Sequence, residues 1–146
     1  METMGQWLLF IHVLGAVGMG FYLLMPFIGG KLGGADLVQQ AGIVRIFYKA
    51  NKIAQYLVLA QFLTGGYLMS LNEALSYTWM AVTVVLLIVI GAISGIMGVN
   101  LKRMLQAIEA GNSSDVNAVK VKTFSWVLFV LLIVMLLIMN QPELLA

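Results

Sequence analysis

Hydrophobic positions in this chain do not alternate with polar ones over most of its length; they run on. Four stretches contain no Asp, Glu, Lys or Arg: Gln6 to Ile28, Ile53 to Leu71, Tyr77 to Val99 and Thr123 to Gln141. Each supplies the ~20 residues a helix needs to cross a ~30 Å hydrocarbon core. The pattern predicts an all-α integral membrane four-helix bundle, with residues 1–146 as a single membrane domain. Between the first two spans the pattern becomes amphipathic. A Gly-rich turn (Gly29, Gly30, Gly33, Gly34) and an N-cap candidate, Asp36, precede a predicted helix from Leu37 to Lys52 that leads into span two. Leu101, Met104, Leu105 and Ile108 carry span three beyond the membrane, until Gly111-Asn112-Ser113-Ser114 breaks it.

Composition fixes the class and charge fixes the orientation. Hydrophobic residues make up 62% of the chain and charged residues 10%, far from the balance of a soluble domain. All eight Lys and Arg fall in two connections: Lys31, Arg45, Lys49 and Lys52 between spans one and two, and Lys102, Arg103, Lys120 and Lys122 between spans three and four. The positive-inside rule places both connections in the cytoplasm and both termini outside. The basic residues therefore follow membrane topology and give no reason to expect nucleic acid as a partner. Trp7, Tyr77 and Trp79 fall at outer span ends and Trp126 at an inner one, as aromatic belts do. Arg45, Lys49 and Lys52 form a basic stripe at i, i+4 and i+7, suited to anionic lipid headgroups; alternatively Arg45 or Lys49 meets an acidic part of a ligand, such as a propionate or phosphate. Gly91, Gly95 and Gly98, and Ala16 with Gly20, have the spacing of close helix packing, within the bundle or between copies.

His12 is the chain's only histidine and lies inside a span. An ionisable side chain at membrane depth marks a ligand, a proton or a buried partner. Six residues in from the outer end of its span, it sits ~9 Å below that end. The same depth on the other spans reaches Gly65, Thr83 and Met135, with Thr64 and Gly66 adjacent and Tyr67, Met69, Met80 and Met139 within range. Asn51, Gln55 and Gln61 form a further polar set along span two. Glycines opposite an imidazole leave room for a flat ligand, and His12 would be the metal ligand if that ligand were haem, with Met135 a second axial candidate. The competing role is structural: His12 bonded across helices to Thr64, Thr83 or Tyr67.

The run Trp7-Leu8-Leu9-Phe10-Ile11-His12-Val13-Leu14-Gly15-Ala16, with Phe47-Tyr48-Lys49, Gln55-Tyr56 and Leu63-Thr64-Gly65-Gly66-Tyr67-Leu68, resembles a bacterial group of small four-span membrane proteins. That group includes HemJ-type protoporphyrinogen oxidases and CopD-type copper-resistance domains. The resemblance implies haem b at the first-span histidine, here His12. In the HemJ type a third-span lysine completes the site, and the corresponding stretch here, Trp79-Met80-Ala81-Val82-Thr83-Val84, has none.

The expected function is binding of a haem-like or quinone-like ligand, with His12, Thr64, Gly65, Gly66, Thr83, Met135, Arg45 and Lys49 as candidate site residues. The setting would be membrane redox or haem metabolism in a bacterial cytoplasmic membrane. Whether the chain is catalytic is left open. The alternative is a non-catalytic accessory or scaffold subunit of a larger membrane complex or homo-oligomer.

Overall fold

The computed structural model describes residues 2–112 and 115–145. The chain folds into helices α1 (Glu2–Met19), α2 (Phe21–Gly29), α3 (Leu37–Ser70), α4 (Tyr77–Glu109) and α5 (Asp115–Asn140), with short 3-10 turns at Leu32–Gly34 and Pro142–Leu145. No strand occurs among the described residues. The boundaries have local causes. Asp36 caps α3 by accepting the Gln39 N–H at 2.8 Å, and Ser76 caps α4 by accepting the Trp79 N–H at 3.1 Å, each pairing one of the orphan amides at a helix start. At the other end of α4, Gly111 adopts φ +78°, while its N–H bonds Ile108 O and the Asn112 N–H bonds Ala107 O, both at 2.9 Å. This is a Schellman ending, which favours glycine at the left-handed position. Ser113 and Ser114 of the expected breaker lie outside the described residues.

The expected amphipathic helix and second span are one continuous helix, α3. The expected first span is instead two helices, divided at Gly20. Its N–H bonds Val17 O at 3.0 Å, and a Cβ placed there would stand 2.8 Å from that same carbonyl oxygen. Only glycine fits such a tightened turn without displacing the backbone.

Among the described residues, three helical stretches are long and apolar enough to cross a membrane: Glu2–Gly34, Tyr77–Glu109 and Val116–Asn140. They mark the chain as a membrane protein. The uncharged part of α3 is more polar, because it carries Gln55, Gln61 and Thr64.

Narrow stripes hold the bundle together. On α3 the buried positions are Val44, Phe47, Asn51, Ala54, Val58 and Gln61; on α4 they include Thr83, Leu87, Ile90, Ser94, Met97 and Leu101; on α5, Val121, Ser125, Leu128, Leu132 and Met135. Steps of three and four give the 3.5-residue seam of side-by-side helices. Helix α1 packs on α3, α3 on α4, α4 on α5, and α2 returns to α5. Glycine lets these seams close. Gly15 and Gly18 face Gln61 and Leu57 of α3, and Gly91 faces Val58, so these small faces are used within the bundle.

Polarity is inverted relative to a water-soluble protein. Asn51, Gln61, Thr83, Ser94, Asn100 and Ser125 are buried, whereas Val17, Leu24, Ile53, Leu63, Val85 and Leu137 are exposed. In hydrocarbon a polar group must find its partner inside. Ser125 and Asn100 bond the carbonyls four residues back, at 2.6 and 3.0 Å. Tyr22 Oη donates to Asn51 Oδ1 at 3.0 Å and lies 2.9 Å from Ser94 Oγ. Since its single proton goes to Asn51, the serine hydroxyl supplies the proton of the second contact. Asn51 Nδ2 then donates to Ser94 O at 3.1 Å, tying α2, α3 and α4 together.

The aromatic residues divide between two roles. Trp7 and Tyr77 are exposed, as belt residues are, but Trp79 is only 7% exposed. Its indole N–H donates to Ile138 O at 2.9 Å, one of the last carbonyls of α5, which no amide of the same helix can reach.

Candidate functional site

The break at Gly20 opens the site. Helix α1 lies on α3, while α2 leans on α5, so beyond Gly20 little contact joins α1 to α5. A cavity of about 110 Å³ fills the wedge. It is lined by His12, Ala16 and Met19 of α1, Gln61, Phe62, Gly65, Gly66 and Met69 of α3, Thr83, Val84 and Leu87 of α4, and Leu132, Met135, Leu136 and Met139 of α5. A more open recess of about 290 Å³ adjoins it toward Asn72 and Trp79, and shares His12, Gly65, Met69 and Met139.

Hydrogen-bond accounting assigns the imidazole proton. Thr64 Oγ1 lies 2.7 Å from Ala60 O, a carbonyl that can only accept, so the threonine proton goes there. His12 Nδ1 is 2.9 Å from the same Oγ1 and must therefore be the donor. In the neutral ring this leaves Nε2 with its lone pair. Nε2 makes no hydrogen bond among the described residues. Gln61 is a second anchor: its amide N–H donates to the backbone carbonyl of His12, and its Oε1 has no hydrogen bond among the described residues. Thr83 turns its hydroxyl back to Trp79 O. An imidazole nitrogen and an amide oxygen, each an acceptor without a donor, remain among the groups lining a largely apolar chamber, beside the lone pairs of the Thr83 hydroxyl.

Gly65 has a more local use than making room for a ligand. A Cβ there would stand 3.1 Å from His12 Cε1 and 3.7 Å from Nδ1, so the space belongs to the imidazole itself. Gly66 has nothing within 4 Å of its missing side chain and opens on the cavity.

The structure thus gathers His12, Gly65, Gly66, Thr83 and Met135, together with Met69 and Met139, around one chamber, and Thr64 reaches it only through its bond to His12. It does not bring Arg45 or Lys49 there. They lie nineteen and fifteen residues before Thr64, ~28 and ~22 Å along α3. Arg45 instead pairs with Glu109 at 3.4 Å, and Lys49 is exposed. Tyr67 and Met80 share the depth of His12 but line neither the cavity nor the recess. Gln61 is the main residue the depth count left out of the site. Its signal was available, because it precedes Thr64 by three and shares its helix face.

Comparison with protein-family models, with curated proteins and with solved structures yields no match. Among the described residues, no three His, Cys, Asp or Glu side chains group as they would around a metal ion.

Proposed function

We propose that this chain is a membrane-embedded binding protein for a quinol-type ligand, a flat aromatic ring bearing hydroxyl groups, held at His12. The observation that carries this is the pairing of an apolar chamber with two unmatched acceptors, His12 Nε2 and Gln61 Oε1. Two hydroxyl groups, one donating to each, satisfy both, whereas a ligand offering only carbonyl oxygens would meet His12 Nε2 acceptor to acceptor. The chamber's about 110 Å³ is below the ~150 Å³ of an apolar cavity that accommodates benzene, so a single ring would extend from it into the adjoining recess of about 290 Å³. Met19, Met69, Met135 and Met139 line the chamber and suit an aromatic guest, since thioethers contact rings favourably by ~0.3–1.5 kcal/mol. Haem b would use the same Nε2 as an axial ligand, but its macrocycle would require the helices to part.

The membrane arrangement belongs to the same proposal: four crossings in a bacterial cytoplasmic membrane, with α1–α2, α3, α4 and α5 as the spans and both termini outside. The Arg45–Glu109 contact supports it, because it sets the start of α3 and the end of α4, where the basic residues cluster, at one end of the bundle.

One labelled imidazole makes the test direct. Protein carrying [15N]histidine is titrated in detergent with a short-chain hydroquinone under anaerobic, reducing conditions. The Nε2 resonance should move while Nδ1 stays protonated, and Gln61→Leu should weaken binding by about tenfold, one charge-free hydrogen bond's worth. An Nε2 resonance indifferent to saturating hydroquinone defeats the quinol assignment. A Soret band after haem addition that disappears in His12→Ala would replace it with haem.

A further inference from the structure

A second polar groove lies between α3 and α4, well away from His12, and has a volume of about 170 Å³. Its walls bring Tyr48, Lys52 and Gln55 of α3 against Gly95, Gly98 and Lys102 of α4. Its charge is unbalanced: two ammonium groups line it and no carboxylate does. The nearby Arg45 is already paired with Glu109, and neither Lys52 nor Lys102 forms an ion pair among the described residues. Lys52 Nζ stands 5.7 Å from the centroid of the Tyr48 ring, which holds a flexible cation at the groove.

The floor is unusual for a helix seam. Gly95 and Gly98 leave a trough beneath the Gln55 amide, whose nitrogen stands 3.4 Å from where a Gly98 Cβ would be and 4.0 Å from that of Gly95. Gln55 is half-buried and makes no hydrogen bond among the described residues. Its neighbour one turn away, Asn51, has both amide ends engaged. The Gln55 amide offers four hydrogen-bonding positions to an occupant of the groove.

We infer that this groove binds a phosphate group, with Lys52 and Lys102 neutralising the anion and the Gln55 amide donating to one of its oxygens. Both lysines stand where uncharged helix gives way to the basic connections, the level at which phospholipid phosphates lie, so an anionic phospholipid headgroup is the nearest source. A free phosphate has the same chemistry and must be distinguished by experiment.

Native mass spectrometry of protein released from mixed phosphatidylcholine and phosphatidylglycerol micelles measures retention of the anionic lipid. Each lysine contributes ~5-fold, so Lys52→Gln with Lys102→Gln should lower retention ~30-fold. Gln55→Leu should lower it further at unchanged net charge, and Lys49→Gln, on the same helix but outside the groove, should lower it by less than either groove lysine does. Equal retention by wild type and the double variant, or an equal loss with Lys49→Gln, overturns the site. Inorganic phosphate added in phosphatidylcholine alone then separates the sources. A shift of the Gln55 side-chain amide resonance that is absent in the double variant supports the site with a soluble phosphate as occupant. No shift alongside groove-dependent lipid retention supports it with the headgroup.

Discussion

Replacing Gly65 with alanine sets two effects of known sign against each other. The new Cβ would stand 3.1 Å from His12 Cε1, while carbon atoms prefer ~3.5–4.0 Å, so the ring must retreat by ~0.4–0.9 Å. A displacement of that size carries the 2.9 Å Nδ1–Thr64 contact to the limit of a hydrogen bond or past it. Losing a side-chain bond between membrane helices costs ~0.6 kcal/mol on average and up to ~1.7. Against this, alanine in a helix interior gains ~0.8–1.0 kcal/mol over glycine. The neighbouring Gly66→Ala enjoys the same gain and meets nothing within 4 Å. Its stability should therefore rise by up to ~1 kcal/mol, and Gly65→Ala should fall ~0.6–1.7 kcal/mol below it. Unfolding by SDS in mixed micelles, followed by tryptophan fluorescence, gives the difference. The [15N]imidazole spectrum shows whether Nδ1 has lost its partner. Two variants equal within ~0.3 kcal/mol, with unchanged imidazole resonances, would refute the packing of His12 on Gly65 and the tautomer drawn from it.

Tyr22→Phe strips Asn51 Oδ1 of its donor inside the bundle and should cost ~1–3 kcal/mol in the same unfolding assay; adding Asn51→Leu should cost less in that background than in wild type, and strictly additive losses would deny the coupling. Arg45 and Glu109 form their pair with side chains 58% and 54% exposed, so Arg45→Ala should change stability by less than ~1 kcal/mol, an effect that shrinks further in high salt.

Depth was legible in the sequence and rotation was not. Helical rise is constant, so counting inward from span ends placed Gly65, Thr83 and Met135 level with His12, and all of them line its chamber. Capping chemistry was equally readable, since Asp36 and Gly111 act through their own backbone neighbourhoods. Which side of a helix faces inward depends on packing partners. Tyr67 and Met80 share the depth but line neither hollow, and Trp79 faces α5 although its position at a span end suggested lipid. In a chain apolar almost all round, the buried stripe is marked by its few polar residues, a signal opposite to the usual one. Gln61, Asn51 and Ser94 carry it. The division at Gly20 was hidden for a different reason, because a glycine among fifteen does not announce which one tightens its turn.

That bend shapes the molecule as a bent stave shapes a cask. Four straight staves would meet along their whole length and leave no hollow. Here α1 and α2 each close a different joint, α1 against α3 and α2 against α5, so the ring is shut at one end and gapes at the other. The chamber at His12 therefore lies on the side of Gly20 where the first crossing rests on α3 alone.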